Sequence, residues 1–280
     1  PGAMDLVLEL AEKTGADLAL AHDPDADRVA VAVPGPHGWR RLTGDEVGGL
    51  LAEHVLRATS GADRLVATTI VSSSLLRKIA ARYGVHYAET LTGFKWIARA
   101  ARPDQRMVFG YEEALGYSVG TPDGLLVHDK DGIGAALVIA GLAAQAKQHG
   151  RSLQDLLDEQ AREYGLHATR QYAVRVADPS LITAALSRLR AAPPAALGGR
   201  AVAAAEDLAT GPGGLPPTEG LRYFLAGDAR VVVRPSGTEP KLKCYLEVVR
   251  EVAGTDVAAA RARAEAELDA VQADLAAALG

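Results

Sequence analysis

Three aspartates at alternate positions form the first group of residues that could do chemistry. They lie in Asp23-Pro24-Asp25-Ala26-Asp27-Arg28, between two short apolar runs. If this acidic loop curls, its carboxylates can converge on one hard cation, and Mg²⁺ prefers such oxygen ligands. An EF-hand does not fit, because Arg28 stands where that loop needs a glycine. A solvated acidic turn, or a phosphatase with Asp23 as nucleophile, remains an alternative.

A second acidic pair lies between glycines, in Gly110-Tyr111-Glu112-Glu113-Ala114-Leu115-Gly116-Tyr117. Carboxylates accept hydrogen bonds from neighbouring hydroxyl groups, and glycine lets the backbone approach a ligand closely. Glu112 and Glu113 could therefore bind a polyhydroxylated molecule. Acidic residues at the start of a helix, where they favour the helix dipole, are an equally good interpretation of this stretch alone.

A basic loop has the composition of an anion site: Arg234-Pro235-Ser236-Gly237-Thr238-Glu239-Pro240-Lys241. An arginine presents a planar fork to phosphate oxygens, hydroxyl groups add donors, and Gly237 permits a turn whose N–H groups point at an anion. Lys241 and Lys243 strengthen the positive field. A hairpin turn with a solvated arginine is the alternative.

Two further segments carry polar groups at loop positions. Thr90-Leu91-Thr92-Gly93-Phe94-Lys95 places hydroxyl groups beside a predicted helix start, which suits an anion or a sugar. In His128-Asp129-Lys130-Asp131-Gly132 a lysine stands between two acids. The adjacent carboxylates should raise the pKa of Lys130 and favour its charged form, which can act as a general acid. A surface ion pair is the simpler interpretation.

Hydrophobic spacing predicts the elements that position these loops. Helices are expected over residues 5–13, 43–58, 74–83, 94–102, 131–149, 153–164, 180–191 and 255–279. Strands are expected over residues 18–21, 29–33, 65–71, 85–88, 107–110, 167–176, 223–225, 231–233 and 244–249. Thr43 and Glu46 match a capping box, and residues 34–41 are typical of a turn between domains.

The alternation of strands and helices predicts an α/β fold. Its middle domain would be a mixed sheet with helices on both faces. Shorter strands and Pro/Gly-rich loops after residue 165 favour a smaller α+β domain at the C-terminus. A chain of 280 residues is also longer than one ordinary domain, which indicates about two domains.

Composition limits the class of protein. The hydrophobic fraction of 48% and the charged fraction of 23% are typical of soluble globular proteins. A net charge of −5 gives no support for partners such as nucleic acid or an anionic membrane. The single cysteine, Cys244, excludes an internal disulfide and suits a reducing cytoplasm. The apolar run at residues 133–144 is too short to span a membrane, and no secretion signal is evident.

Five motifs of this chain, in their order, resemble those of the α-D-phosphohexomutase superfamily of phosphoglucomutases and phosphomannomutases. They are D-P-D-A-D-R, T-G-F-K-W, G-Y-E-E-A-L-G-Y, D-K-D-G and R-P-S-G-T-E-P-K. The resemblance extends over nearly the whole chain. It implies four domains, each contributing one loop to a central cleft. Residues 1–41 would end the second domain, residues 42–165 would be the third, of α/β/α type, and residues 166–280 would be the fourth.

The resemblance also implies a role for each loop. Asp23, Asp25 and Asp27 would bind Mg²⁺, and Arg28 and Lys130 would act in catalysis beside them. The sugar would be bound by third-domain residues: Thr92, Gly93, Lys95, Glu112 and Glu113. Its phosphate would be bound by the fourth-domain loop: Arg234, Ser236, Gly237 and Thr238.

The activity implied is phosphoryl transfer between O1 and O6 of glucose or mannose phosphate, with glucose 1,6-bisphosphate as intermediate and activator. One departure concerns the substrate. Many members have serine where this chain has Ala114, and the stretch is similar instead to phosphopentomutase-like and glucose-1,6-bisphosphate-synthase-like members.

The second departure concerns the nucleophile. The superfamily's first domain carries a Ser-His-Asn-Pro-type loop whose serine is phosphorylated, and no such loop occurs here. Ser72-Ser73-Ser74 opens a predicted helix and is interpreted as structural. The chain is therefore expected to need two partners, a sugar phosphate and the N-terminal phosphoserine domain, and to be inactive alone. A non-catalytic sugar-phosphate-binding module remains an alternative.

Overall fold

The computed structural model describes residues 2–36, 38–176, 178–237 and 239–279. Two compact units make up the chain, Pro1–Gln160 and Ala161–Gly280. The predicted division at residues 41 and 165 stays a prediction. Among the described residues, no helix combines the length and the apolar content needed to cross a bilayer.

The first unit begins with a helix and a small antiparallel sheet. These elements are α1 (Asp5–Thr14), β1 (Ala19–His22), β2 (Val29–Gly35) and β3 (Gly38–Arg41), with β2 in the centre of the sheet. The prediction of a turn over residues 34–41 is wrong in part, because Gly38–Arg41 is a strand. Tertiary contacts explain this. Trp39 donates from Nε1 to Glu12 Oε2 at 3.0 Å, and Arg40 donates to Glu46 at 2.9 Å.

A five-stranded sheet forms the rest of the first unit. Its elements are α2 (Gly44–Ala58), β4 (Arg64–Thr69), α3 (Leu75–Tyr83), β5 (His86–Thr90), α4 (Phe94–Ile97), β6 (Arg106–Glu112), β7 (Gly116–Thr121), β8 (Gly124–Leu125) and α5 (Gly132–Gln148). The strand order is β5-β4-β6-β7-β8. Strands β5, β4 and β6 are parallel, whereas β7 and β8 are antiparallel to their neighbours. The predicted mixed sheet is thereby confirmed.

Helices cover both faces of this sheet. On one face, Phe94 and Ile97 of α4 pack with Leu65 and Met107. On the other, α2 lies so close that a Cβ at Gly48 would be 2.7 Å from the ring of Tyr111. Thr43 caps α2 with the predicted capping box.

Two predictions in this region fail. Helix α4 ends at Ile97 and not at residue 102. Within α4 only Phe94 and Ile97 are buried, and the alanines that follow have too little apolar surface to stabilise further helical turns by packing. Strands β7 and β8 were not expected, since residues 116–125 are rich in glycine and lack a clear alternation.

The second unit is a six-stranded antiparallel sheet with two helices. After α6 (Leu153–Tyr164), which spans the boundary between the units, come β9 (Leu166–Arg175), α7 (Ser180–Ala191), β10 (Ala196–Leu197), β11 (Arg200–Asp207), β12 (Leu221–Leu225), β13 (Ala229–Pro235), β14 (Lys241–Arg250) and α8 (Val257–Leu279). The order is β10-β11-β12-β13-β14-β9. Side chains of α7 and α8, such as Leu189 and Leu268, share one core with Val231 and Val233. This is the expected smaller α+β unit, although the alanine-rich β11 was not predicted.

Candidate functional site

The acidic loop closes the hairpin between β1 and β2, whose last pair is His22 with Val29. Ala26 turns the chain at φ 58°, and its N–H donates to the Asp23 carbonyl at 3.0 Å. The N–H of Arg28 donates to Asp23 Oδ1 at 3.2 Å. These bonds fold the loop so that one carboxylate oxygen from each aspartate lies within 4.8 Å of the other two. Three like charges this close repel one another, and a cation would offset that repulsion.

One carboxylate oxygen of the acidic loop has surroundings that suit a metal ligand. Asp27 Oδ1 is buried without a hydrogen-bond partner among the described residues, and Arg28 Nε lies 3.7 Å from it, beyond hydrogen-bond distance. Buried polar atoms normally have a partner. A hard cation such as Mg²⁺ would be a suitable partner for Asp27 Oδ1, since all three aspartates offer oxygen ligands.

Lys130 joins the acidic loop to the next candidate loops. Its Nζ lies 3.0 Å from Asp27 Oδ2 and 3.4 Å from Asp129 Oδ1. Partial burial acts to lower the pKa of Lys130, but the hydrogen bonds and charges of Asp27 and Asp129 together raise it. The predicted direction is therefore confirmed, with one change of partner. Asp131 instead caps α5 by accepting from Gly134 N–H at 2.8 Å.

Two glycines permit the close packing around Lys130. A Cβ at Gly116 would lie 2.6 Å from Lys130 Cδ. A Cβ at Gly132 would lie 2.6 Å from the carbonyl oxygen of Arg28 and 2.7 Å from that of Ala26. A side chain at Gly116 would displace Lys130, and one at Gly132 would require the helix or the acidic loop to shift.

Backbone hydrogen bonds hold the same segments together. The N–H of Val29, at the end of the acidic loop, donates to the Leu115 carbonyl at 3.3 Å. The N–H of Asp131 donates to the Tyr117 carbonyl at 2.7 Å. The acidic loop, the β6–β7 turn and the Lys130 segment thus form one packed cluster.

Glu112 is the last residue of β6 and Glu113 the first residue of the β6–β7 turn, so the alternative of a helix start is wrong. Leu115 completes the turn at φ 68°. Glu112 Oε1 accepts from Gly93 N–H at 2.7 Å. Glu113 points to the other side, where its Oε2 lies 3.3 Å from Ser72 Oγ and 3.4 Å from Thr69 Oγ1. The structure therefore separates two side chains that were predicted to bind the same ligand.

Burial raises the pKa of Glu113 to about 7, and the negative charges of Asp45 and Glu112 add to the effect. Sequence reasoning missed the role of Asp45, which is buried and accepts from Ser73 N–H at 2.7 Å. The only signal was its place at the start of a capped helix. Ser72 and Ser73 are buried in this network, as their interpretation as structural residues requires.

The predicted sugar loop at Thr92 and Gly93 leads into α4. Gly93 precedes the helix at φ 112° and bonds to Glu112, and Thr92 is half-buried beside it. Lys95 is exposed, with Nζ 5.6 Å from the centre of the Trp96 ring. The structure thus brings Thr92 and Gly93 to Glu112, while Lys95 faces Trp96.

The basic loop lies in the second unit, where it joins β13 to β14. Arg234 pairs with Lys243 across these strands, and Ser236 N–H donates to the Lys241 carbonyl at 2.9 Å. Gly237 is exposed, and a Cβ there would meet nothing within 4 Å. Thr238 lies outside the described residues. The loop sits at a strand end, as expected, and its hairpin form leaves both the anion site and the plain turn as interpretations.

Glu239 tempers the positive charge of this loop. Its carboxylate lies 3.0 Å from Lys241 Nζ and 3.1 Å from Arg175 Nη2. The hydrogen bond to Lys241 is the main cause that lowers the pKa of Glu239. Because Lys241 is paired with Glu239, Arg234 is the better candidate in this loop for binding an anion.

Comparison with known proteins identifies the family of both units. Residues 43–164 match the family description "Phosphoglucomutase/phosphomannomutase, alpha/beta/alpha domain III", and residues 172–264 match "Phosphoglucomutase/phosphomannomutase, C-terminal domain". A Haemophilus influenzae protein named "Probable phosphomannomutase" is 41% identical over 88% of this chain and 49% of its own length. The Homo sapiens phosphopentomutase is 34% identical over 91% of this chain and 46% of its own length.

A similar fold occurs in the crystal structure of the Paramecium phosphoglucomutase pp63/parafusin. The TM-score is 0.65 at 18% identity, over 99% of this chain and 49% of that one. The chain thus spans about half the length of the curated relatives it matches. It belongs to the phosphoglucomutase/phosphomannomutase family of the α-D-phosphohexomutase superfamily.

Proposed function

We propose that this chain is part of a Mg²⁺-dependent phosphosugar mutase that moves a phosphoryl group between O1 and O6 of glucose or mannose phosphate. The observation that supports this most is the position of Lys130. Its ammonium lies 3.0 Å from Asp27 of the acidic loop, while its methylene groups pack on Gly116 at the end of the turn that carries Glu112. Groups suited to a cation, a proton and a sugar hydroxyl therefore occur in one packed cluster.

Each group would have a distinct task. Asp23, Asp25 and Asp27 would hold Mg²⁺, which when bound supplies positive charge next to a transferring phosphoryl group. Lys130 keeps its proton, because its pKa is raised, so it can stabilise negative charge or donate to an oxygen. Arg28, about half exposed beside Asp23 and Asp27, adds a second cation.

Binding of the sugar and of its second phosphate would orient the reacting end. Glu112 would accept hydrogen bonds from sugar hydroxyls, next to Thr92 and Gly93. The basic loop of Arg234, Ser236, Gly237 and Thr238 would bind the phosphate that does not react. Binding energy from such a remote group can be used to position the reacting atoms.

The phosphoserine would come from outside these 280 residues. No Ser-His-Asn-Pro-type loop is present in them, and Ser72 and Ser73 are buried in hydrogen bonds with Glu113 and Asp45. We therefore propose that the chain works with an N-terminal phosphoserine domain and has no mutase activity alone. Glucose 1,6-bisphosphate would be the intermediate and activator.

A second candidate substrate is a pentose phosphate. Ala114, exposed at the tip of the β6–β7 turn, stands where many superfamily members have serine. The matched Homo sapiens relative is named phosphopentomutase. Loss of a hydroxyl beside Glu112 would suit a ligand with fewer groups to bind.

An Asp23 phosphatase is less well supported. Asp23 Oδ1 accepts from Arg28 N–H, and its carboxylate is one of the three that converge. Both features suit a metal ligand better than a free nucleophile, and a phosphatase leaves the basic loop without a role.

The test is ³¹P NMR of the chain with Mg²⁺ and catalytic glucose 1,6-bisphosphate, on glucose 1-phosphate, mannose 1-phosphate and ribose 1-phosphate in parallel. We expect no conversion and no inorganic phosphate, together with saturable Mg²⁺-dependent binding of the bisphosphate in calorimetry. Inorganic phosphate would support the phosphatase. Conversion would show that a nucleophile lies within these residues, and absence of binding would overturn the proposal.

A further inference from the structure

Glu113 has the surroundings of a support and not of a ligand. Glu112, the last residue of β6, reaches Gly93, whereas Glu113, the first residue of the turn, reaches the hydroxyls of Ser72 and Thr69. Ser72 Oγ also accepts from the Glu113 N–H at 3.3 Å. Ser72 thus contacts both the side chain and the backbone of Glu113, and Thr69 contacts its side chain.

The start of α2 presses on the same turn. A Cβ at Gly44 would lie 2.1 Å from the Glu113 carbonyl oxygen. The next residue, Asp45, is buried, and its Oδ1 accepts from Ser73 N–H at 2.7 Å and from Tyr111 O–H at 2.9 Å. Donors of this kind stabilise the ionised form of a carboxyl group. The negative charge of Asp45 is one of the causes that raise the pKa of Glu113.

Four elements of the first unit contribute charged or polar groups next to Glu113. Helix α2 contributes the charge of Asp45, and β6 contributes that of Glu112. Strand β4 and the loop after it contribute the hydroxyls of Thr69 and Ser72. Strand β7 contributes Tyr117, whose pKa burial raises, with Asp45 and Glu113 adding, so this phenol stays neutral. A proton on Glu113 thus removes one of three neighbouring negative charges.

We propose that Glu113 is a positioning residue: its protonated carboxyl holds the β6–β7 turn so that Glu112 keeps its binding geometry, and ionisation of Glu113 weakens sugar-phosphate binding. This rests on the proposed function, because the ligand of Glu112 is taken to be a sugar phosphate. The effect reaches further than Glu112. The same turn supplies the Leu115 carbonyl that binds Val29 N–H at the end of the acidic loop.

The first experiment needs no ligand. Amide NMR of the full chain follows the Gly93 N–H, which donates to Glu112, from about pH 5.5 to about pH 8.5. In the wild type, we expect the Gly93 shift to titrate together with the ¹³C signal of the Glu113 carboxyl. In Glu113→Gln, which stays neutral and keeps hydrogen-bonding groups, we expect the Gly93 titration to disappear.

The second experiment measures binding of glucose 1,6-bisphosphate with Mg²⁺ by calorimetry at about pH 6 and about pH 8.5. The affinity of the wild type should fall between about pH 6 and about pH 8.5. This fall should be larger, by about fivefold or more, than the fall measured for Glu113→Gln, as expected for a coupling between two sites. The matched control is Glu112→Gln, on the opposite face of the turn. It should lower affinity at both pH values and make the alkaline loss smaller, because that loss acts mainly through Glu112.

Two results would overturn the inference. One is a Gly93 titration whose midpoint differs from that of the Glu113 carboxyl in the wild type, a measurement that needs no variant. The other is an equal alkaline loss of affinity in Glu113→Gln. If no form of the protein binds the bisphosphate at any pH, the proposed function fails, while the Gly93 titration still decides whether Glu113 holds the turn.

Discussion

Addition of one methyl group at Gly132 should disturb the acidic loop without a change in any proposed ligand. Gly132 is the first residue of α5, and its backbone accepts an ordinary side chain, since its φ is not positive. The obstacle is steric. The new Cβ would lie 2.6 Å from the Arg28 carbonyl oxygen and 2.7 Å from that of Ala26, and real Cβ contacts essentially never fall below 3.0 Å.

The size of the effect follows from what must move. Both obstructing atoms are backbone, so α5 or the acidic loop must shift, and overpacking of this kind costs about 1–3 kcal/mol of stability. If the loop shifts, the three aspartates lose part of their convergence. A loss of about 1.4 kcal/mol in metal binding corresponds to a tenfold rise in the Kd for Mg²⁺.

The assay is Mg²⁺ titration by calorimetry, with urea unfolding in parallel, for Gly132→Ala and for Gly141→Ala. Gly141 lies in the same helix and is exposed, and a Cβ there would meet nothing within 4 Å. Gly141→Ala should therefore leave Mg²⁺ binding unchanged and stabilise the chain by about 0.5–1 kcal/mol. Wild-type Mg²⁺ affinity in Gly132→Ala would refute the reasoning, as would an equal loss in both variants.

Three further substitutions test other parts of the site. Asp27→Asn should weaken Mg²⁺ binding at least tenfold. Stability should change little, because the loss of repulsion among the three aspartates offsets the loss of charge beside Lys130. Calorimetry and urea unfolding check both, and unchanged affinity would exclude Asp27 as a ligand. Arg234→Ala should weaken glucose 1,6-bisphosphate binding by about ten- to a hundredfold with Mg²⁺ affinity intact; exposed Arg263 in α8 gives the charge-matched control, and an equal effect there would point to net charge alone. For Glu113, whose folded pKa is about 7 against 4.5 ordinarily, the stability contributed by its proton is fully present below 4.5 and is lost as pH rises through about 7. The loss should be roughly 2 kcal/mol after allowance for solvent, and Glu113→Gln should remove it; identical urea-unfolding profiles against pH would show that Glu113 is ionised throughout.

Local sequence was sufficient to place the acidic and basic loops. Each is a short polar stretch between apolar runs, so its position at a strand end follows from strand periodicity. The Thr43–Glu46 cap was predictable for the same reason, because its two residues lie within one helical turn. For Lys130 only part of the cause is local: Asp129 is adjacent in sequence, whereas Asp27 belongs to a loop about 100 residues away.

Contacts between distant segments explain what local sequence could not give. Gly38–Arg41 is a strand because Trp39 and Arg40 bond to residues of two helices. The opposite directions of Glu112 and Glu113 depend on the register of the β6–β7 turn. The contact of Gly132 with the acidic loop joins positions about 100 residues apart, and no spacing rule reports it.

The pairing of β9 with β14 has a consequence for the order in which the second unit can form. Leu166 pairs with Arg250, so the first strand of the unit waits for one made about 80 residues later, and such long-range pairing is slow. During synthesis β9 has no sheet partner on that edge. Its charges, Arg170 and Arg175 among them, discourage association with other chains in that interval. Release of the nascent chain before residue 250 should therefore leave this unit open to proteolysis.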